Sequence, residues 1–237
     1  MKEDILQKEL DNLKELHSDI ISIASHELKT PLTSIIGFTK IIKEKPNINE
    51  ETREKCLKTI IQQSERMHRL INNMITWHQI KMKIIKIYIT QVNISLLIKD
   101  ILKNFLNKIN KDHIKLTIHI EDDITFSGDE ERLREIIENL LENSIKHIDE
   151  GLKIEVRAEK INKNHFNLTI SNTGFILDEM IKESILNKNY PLLSGIKIDK
   201  STALSLAISR SLVELLGGKI HFEPINPKGS KFIIEFT

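Results

Sequence analysis

The sequence predicts an α+β chain: a long N-terminal helical hairpin that dimerises into a four-helix bundle, followed by a two-layer α/β sandwich. Two observations predict it. Up to about residue 83, apolar residues recur at three- and four-residue steps with a single break, which is the pattern of two amphipathic helices. Beyond that point, short β-branched runs interleave with helical stretches, the pattern of a mixed sheet covered by helices. The expected division is a dimerisation hairpin over residues 1–83 and a sandwich over 84–237.

In the first helix Leu6, Leu10, Leu13, Ile20, Ile23, Ile35 and Ile42 form the stripe. Pro46 cannot continue the hydrogen-bond ladder, and Asn47 and Asn49 suit a turn and a cap. A second helix from about Glu50 places Cys56, Ile60, Met67, Leu70, Met74 and Trp77 on one face. Two such helices have too little core to stand alone, so pairing of two copies, a homodimer, is the expected solution. Packing of the hairpin on its own second domain is the alternative.

In the second part, 84–89 (IIKIYI), 115–120, 152–158, 166–171, 219–223 and 231–236 read as strands. Ser95 to Ile109, Asp129 to His147 and Ser201 to Leu216 read as helices, the last closed by Gly217 and Gly218. No internal repeat or low-complexity segment interrupts this order.

The composition excludes several classes. A formal net charge of +1 offers no basic excess for nucleic acid. One cysteine, Cys56, allows no intramolecular disulfide, and its apolar helical position suits packing. No apolar run approaches the roughly 18 residues of a membrane helix, and the charged first residues are no signal peptide. The expectation is a soluble, cytoplasmic protein; an upstream sensor would sit on another chain.

The segment Ser25-His26-Glu27-Leu28-Lys29-Thr30-Pro31-Leu32 carries the most chemistry. His26 and Thr30 are four apart and share a helical face. Glu27, beside His26, can accept a proton from one imidazole nitrogen and leave the other more nucleophilic. Pro31 removes the hydrogen bond to the Glu27 carbonyl and favours a bend just after His26. A lone histidine on a helix is usually a solvated surface residue, and His17, His68, His78, His113, His119 and His165 are read that way.

Together these residues resemble the phospho-acceptor box of two-component histidine kinases, and the likeness continues through Leu32, Ile36 and Gly37. The resemblance covers nearly the whole chain and implies a second domain of the histidine kinase/Hsp90-like ATPase type. It implies that His26 accepts a phosphoryl group, that Glu27 is the general base, and that Thr30 positions the water that dephosphorylates a response regulator. The implied partners are a second copy of the chain and the receiver aspartate of that regulator.

Asn139, Asn143 and Lys146, at spacings of four and three on one helix, resemble the family's asparagine box. The resemblance implies ATP and Mg²⁺, with Asn143 as the metal ligand and Lys146 facing the phosphates; hard Mg²⁺ takes oxygen ligands and an ammonium neutralises phosphate. The glycine boxes depart from the family. In Ser171-Asn172-Thr173-Gly174-Phe175-Ile176, Asn172 replaces the aspartate that accepts from adenine, Gly174 is kept, and Ile176 replaces a glycine. In Ser201-Thr202-Ala203-Leu204-Ser205-Leu206, all three expected glycines have become Ser201, Ala203 and Ser205. A left-handed non-glycine residue costs about 1–2 kcal/mol, so either the loop is strained or the stretch extends the following helix. Leu186 and Asn189 stand where two phenylalanines are usual, and Tyr190 is a remnant of that aromatic box.

The leading expectation is a dimeric phosphotransfer protein or phosphatase of this family with an impaired ATP lobe. Two alternatives stay open: an ATP-dependent autokinase with a divergent loop, and a non-enzymatic scaffold that dimerises with another kinase and regulates it. An unrelated ATPase with the same sandwich has no use for the His-Glu-Leu-Lys-Thr-Pro segment.

Overall fold

The computed structural model describes residues 25, 27–45, 47–111, 114–146, 153–174, 200–225 and 228–237. They form two compact units that divide between Lys83 and Ile84.

The first unit is a helical pair, α1 (27–44) and α2 (Glu50–Lys81). Pro31 lies inside α1 without ending it. Asn49 caps α2: its side-chain oxygen accepts from the Thr52 amide at 2.8 Å. Glu50 and Glu51 in the first turn, and His78 and Lys81 in the last, each meet the helix dipole end that favours them. Cys56, Leu70 and Trp77 are buried. A second apolar stripe is not covered: Leu57, Ile61, Ile71 and Ile75 on α2, with Leu32 and Ile36 on α1, stay exposed in the single chain. The part of the first helix expected before Ser25 lies outside the described residues.

The second unit is the sandwich. Its elements are β1 (Thr90–Asn93), α3 (Ile94–Lys111), β2 (Lys115–Ile120), β3 (Thr125–Gly128), α4 (Glu130–Lys146), β4 (Lys153–Asn162), β5 (His165–Asn172), α5 (Lys200–Leu215), β6 (Gly218–Pro224) and β7 (Ser230–Phe236). Five strands form one sheet in the order β2-β4-β5-β7-β6, parallel only between β2 and β4; β1 and β3 form a separate antiparallel pair. Strict in–out alternation along β5 and β7 buries Phe166, Leu168 and Ile170 against Phe232, Ile234 and Phe236. Leu133, Ile136, Ile137, Leu140 and Leu141 of α4 are fully buried in the same core. Phe166 stacks on Phe236 with centroids 5.0 Å apart, and Phe126 meets Phe166 edge-on at 5.5 Å. α5 packs on α4 and on β6, and Gly217 (φ +80°) turns the chain from α5 into β6.

One expectation is corrected, and one strand was not expected. Residues 84–89 are not a strand; the strand is the next four residues, Thr90–Asn93. Its partner β3 is only four residues long, because Asp129 ends it and starts α4. The Asp129 carboxylate accepts the Arg132 amide as a helix cap and, through its other oxygen, the Tyr88 amide at 2.7 Å. That second bond holds the chain just before β1, while Ile84, Tyr88 and Ile89 remain largely exposed. The strand not expected is β3 itself, whose sequence Thr-Phe-Ser-Gly carries too little alternation to be read as a strand.

Candidate functional site

The chemistry expected of the first unit centres on His26, which lies outside the described residues. Its neighbours are placed. Glu27 and Thr30 lie one turn apart on α1, Glu27 partly buried and Thr30 exposed. The Glu27 carboxylate faces α2, where Arg66 Nη2 stands 3.7 Å from Glu27 Oε2; the two side chains are 12% and 34% exposed. Arg66 was not singled out by sequence reasoning. Glu27 and Arg66 stand at nearly equal distances along the chain from the turn at Asn47, so the register of an antiparallel hairpin could have paired them. The guanidinium orients the carboxylate on α1 by facing it from the second helix.

In the second unit, α4 carries the asparagines. Asn143 is buried, and its Nδ2 donates to Ser205 Oγ of α5 at 2.9 Å. Ser205 Oγ lies 2.9 Å from the Thr202 carbonyl and 3.3 Å from Asn143 Oδ1. A hydroxyl has one proton, and the shorter contact takes it. The chain of bonds therefore runs from the Asn143 amide to the Ser205 hydroxyl to the Thr202 carbonyl. Asn139 differs: its Nδ2 is buried and meets no hydrogen-bond partner among the described residues. Lys146 is the last residue of α4, and its side chain lies outside the described part.

Asn172 ends β5 fully buried, with Gly174 buried two residues on. Gly229 (φ +153°) packs against this turn so closely that a Cβ there would collide with the Asn172 carbonyl oxygen. Ile176, Leu186, Asn189 and Tyr190 lie outside the described residues. The stretch where the family pattern has glycines is helical from Lys200 onward, and Thr202, Ala203, Leu204 and Ser205 are all buried. Of the two courses open to that stretch, the chain takes the helical one.

Asn143 meets Ser205 through its Nδ2, while its Oδ1, the atom a magnesium ion would take, belongs to a side chain that is buried between helices. Among the described residues no group of three or more His, Cys, Asp or Glu side chains could hold a metal. No helix among them is long and apolar enough to cross a membrane. An open recess of about 280 Å³ between α3 and α4 is lined by neither Asn139 nor Asn143, and its Arg134 guanidinium is paired with Asp100 at 2.9 Å.

Residues 6–82 match the His Kinase A (phospho-acceptor) domain, and residues 128–237 match the histidine kinase-, DNA gyrase B- and HSP90-like ATPase family. Among curated proteins, the chain is similar to the sensor histidine kinase YvrG of Bacillus subtilis (strain 168), 28% identical over 228 residues, covering 95% of this chain and 39% of that protein. It is also similar to the sensor histidine kinase YclK of the same organism, 29% identical, covering 95% of this chain and 48% of that protein. The chain thus spans less than half the length of these two relatives. Among solved structures, histidine kinase ThkA in complex with the response regulator protein TrrA superposes with a TM-score of 0.66 at 26% identity, covering 99% of this chain and 65% of that one.

Proposed function

We propose, for a chain that belongs to the two-component histidine kinase family, that His26 carries a phosphoryl group and exchanges it with the aspartate of a response regulator. The observation that carries the reading is the His26-Glu27-x-x-Thr30 segment, with the Glu27 carboxylate on α1 facing Arg66. An imidazole nitrogen of His26 attacks the phosphorus of the regulator's phosphoaspartate, and the phosphorus–oxygen bond to that aspartate breaks. Glu27 takes the proton of the other nitrogen; the reverse step returns both. Thr30, exposed on the same helix, positions a water for direct hydrolysis, which is the phosphatase direction. The similar ThkA is found with a response regulator, which supports a receiver domain as the partner.

The working form is a homodimer, since Leu32, Ile36, Leu57, Ile61, Ile71 and Ile75 need a cover that a second hairpin supplies. It works in the cytoplasm. Division of labour follows the two domains over 1–83 and 84–237, with the ATP lobe impaired, because α5 has absorbed the glycine stretch. The test is incubation with phosphoramidate, a small phosphoryl donor. An acid-labile phosphate that vanishes in His26→Gln supports the reading; wild-type protein left unmodified by this donor and by a phosphorylated receiver refutes it.

A second reading, an ATP-dependent autokinase, is favoured by one observation: the buried amide nitrogen of Asn139 without a partner among the described residues, a donor suited to a ligand. Label from Mg-ATP on His26 would select it.

A further inference from the structure

We infer that Asp129 is a latch that holds the connector between the two units to the first turn of α4, and so sets the free length of that connector at four residues. The device lies wholly within the second unit and operates whether or not His26 carries phosphate.

Three observations carry it. The first is the way α2 ends. The Met82 amide donates to the His78 carbonyl at 2.9 Å, and the Lys83 amide to the Ile80 carbonyl at 3.0 Å. Lys83 then takes a left-handed backbone (φ +56°), which turns the chain out of the helix at the point where the two units divide. The second is the connector itself. Ile84, Ile85, Lys86 and Ile87 make no hydrogen bond among the described residues, and Ile84 is 59% exposed. Nothing local holds that run in one conformation. The third is Asp129, which is only 4% exposed. Its Oδ2 accepts the Tyr88 amide at 2.7 Å, its Oδ1 accepts the Arg132 amide at 3.1 Å, and its carbonyl accepts the Leu133 amide at 2.9 Å. The Tyr88 ring is exposed, so the backbone amide, not the side chain, fixes this residue. A carboxylate makes stronger bonds to amides than a neutral oxygen does, which suits it to hold two at once.

The ladder between β1 and β3 begins only at Thr90, opposite Gly128. With the latch closed, the free run is 84–87 and spans at most about 14 Å; with it open, the run extends through Ile89 and spans about 21 Å. The same carboxylate caps the helix that bears Asn139 and Asn143. Tension on the connector is therefore felt at the first turn of α4, and a change in that turn is felt at the connector.

The experiment uses the whole chain and two variants, Asp129→Asn and Asp129→Ser. Asparagine and serine are good helix caps, yet each offers a single side-chain oxygen, so neither can serve both amides. Residue-level hydrogen exchange by NMR and trypsin cleavage after the exposed Lys86 are the readouts. In wild type, the Tyr88 amide is expected to exchange at least about tenfold more slowly than those of Ile85, Lys86 and Ile87. In Asp129→Ser that protection is expected to vanish and cleavage after Lys86 to quicken at least about threefold, while the Arg132 and Leu133 amides stay protected. In Asp129→Asn one of the two bonds is expected to be lost, from Tyr88 or from Arg132. A wild-type Tyr88 amide that exchanges as fast as its neighbours would overturn the latch. So would folded variants in which Tyr88 protection and Lys86 cleavage match wild type, or in which α4 opens in step with Tyr88 in both.

Discussion

Replacing Ser205 by alanine keeps the Cβ and removes only the hydroxyl, so it isolates one interaction. Asn143 Nδ2 then loses the acceptor it holds at 2.9 Å, inside a residue that is 4% exposed. Leaving a buried amide donor unpaired costs about 1–3 kcal/mol. The Thr202 carbonyl keeps its place in the helical ladder and loses little. Alanine is the better helix former and returns about 0.5 kcal/mol. The net expectation is a loss of about 0.5–2.5 kcal/mol. For a domain of this size, about 1 kcal/mol moves the melting temperature by about 2–4 °C, so the transition of the sandwich should fall by about 1–10 °C. Differential scanning calorimetry on the whole chain reads this directly. Asn143→Ala is expected to destabilise as well. Combining the two should cost clearly less than their sum, with a coupling on the order of 1 kcal/mol. Strict additivity, or an unchanged melting temperature in Ser205→Ala, would refute the claim that these side chains hold each other.

The other expectations concern the two units separately. Arg66→Ala should slow phosphoryl exchange at His26, as the carboxylate of Glu27 loses the guanidinium that faces it 3.7 Å away; Arg66→Lys should restore part of the rate, and an unchanged rate in Arg66→Ala would leave Arg66 a structural role only. Ile61→Glu together with Ile75→Glu, both on the exposed stripe of α2, should shift the protein from dimer to monomer in light scattering at micromolar concentration, while a persisting dimer would place the interface elsewhere. Glu138 on α4 is held above the usual glutamate value of 4.5, first by burial, then by the carboxylates of Glu142, Glu135 and Asp100, with Arg134 acting in the opposite direction. The folded state therefore binds this proton more tightly than the unfolded one, so the penalty for charging Glu138 is present above its folded value and relieved as pH falls below 4.5. Glu138→Gln should stabilise the fold at neutral pH and lose that advantage in acid, and an equal melting-temperature gain at both pH values would contradict the assignment.

The long-period features were legible in the sequence because each is written locally. The α2 cap at Asn49, the burial of Cys56, Leu70 and Trp77, and the apolar face of α4 follow from spacing alone. What was not legible depends on partners distant in the chain. The run at 84–89 has strand composition, yet β3, the strand that pairs just after it, is four residues long and ends at a helix cap. The loss of three glycines was readable, and so was the choice between strained loop and longer helix. That the Ser205 hydroxyl would land on Asn143 was not, since the pair is 62 residues apart and meets only when α5 docks on α4. Arg66 escaped notice for the same reason, standing on the far helix of the hairpin from Glu27.

The most direct test of the central claim is transfer between His26 and a receiver. Chain phosphorylated by phosphoramidate would be freed of donor and mixed with a response regulator receiver domain, with the phosphate followed on both proteins by mass spectrometry. The expected result is loss of phosphate from His26 matched by its appearance on the receiver aspartate or as inorganic phosphate, with neither seen in His26→Gln. Phosphate that never reaches His26, or that reaches the receiver equally well from the His26→Gln protein, would contradict it.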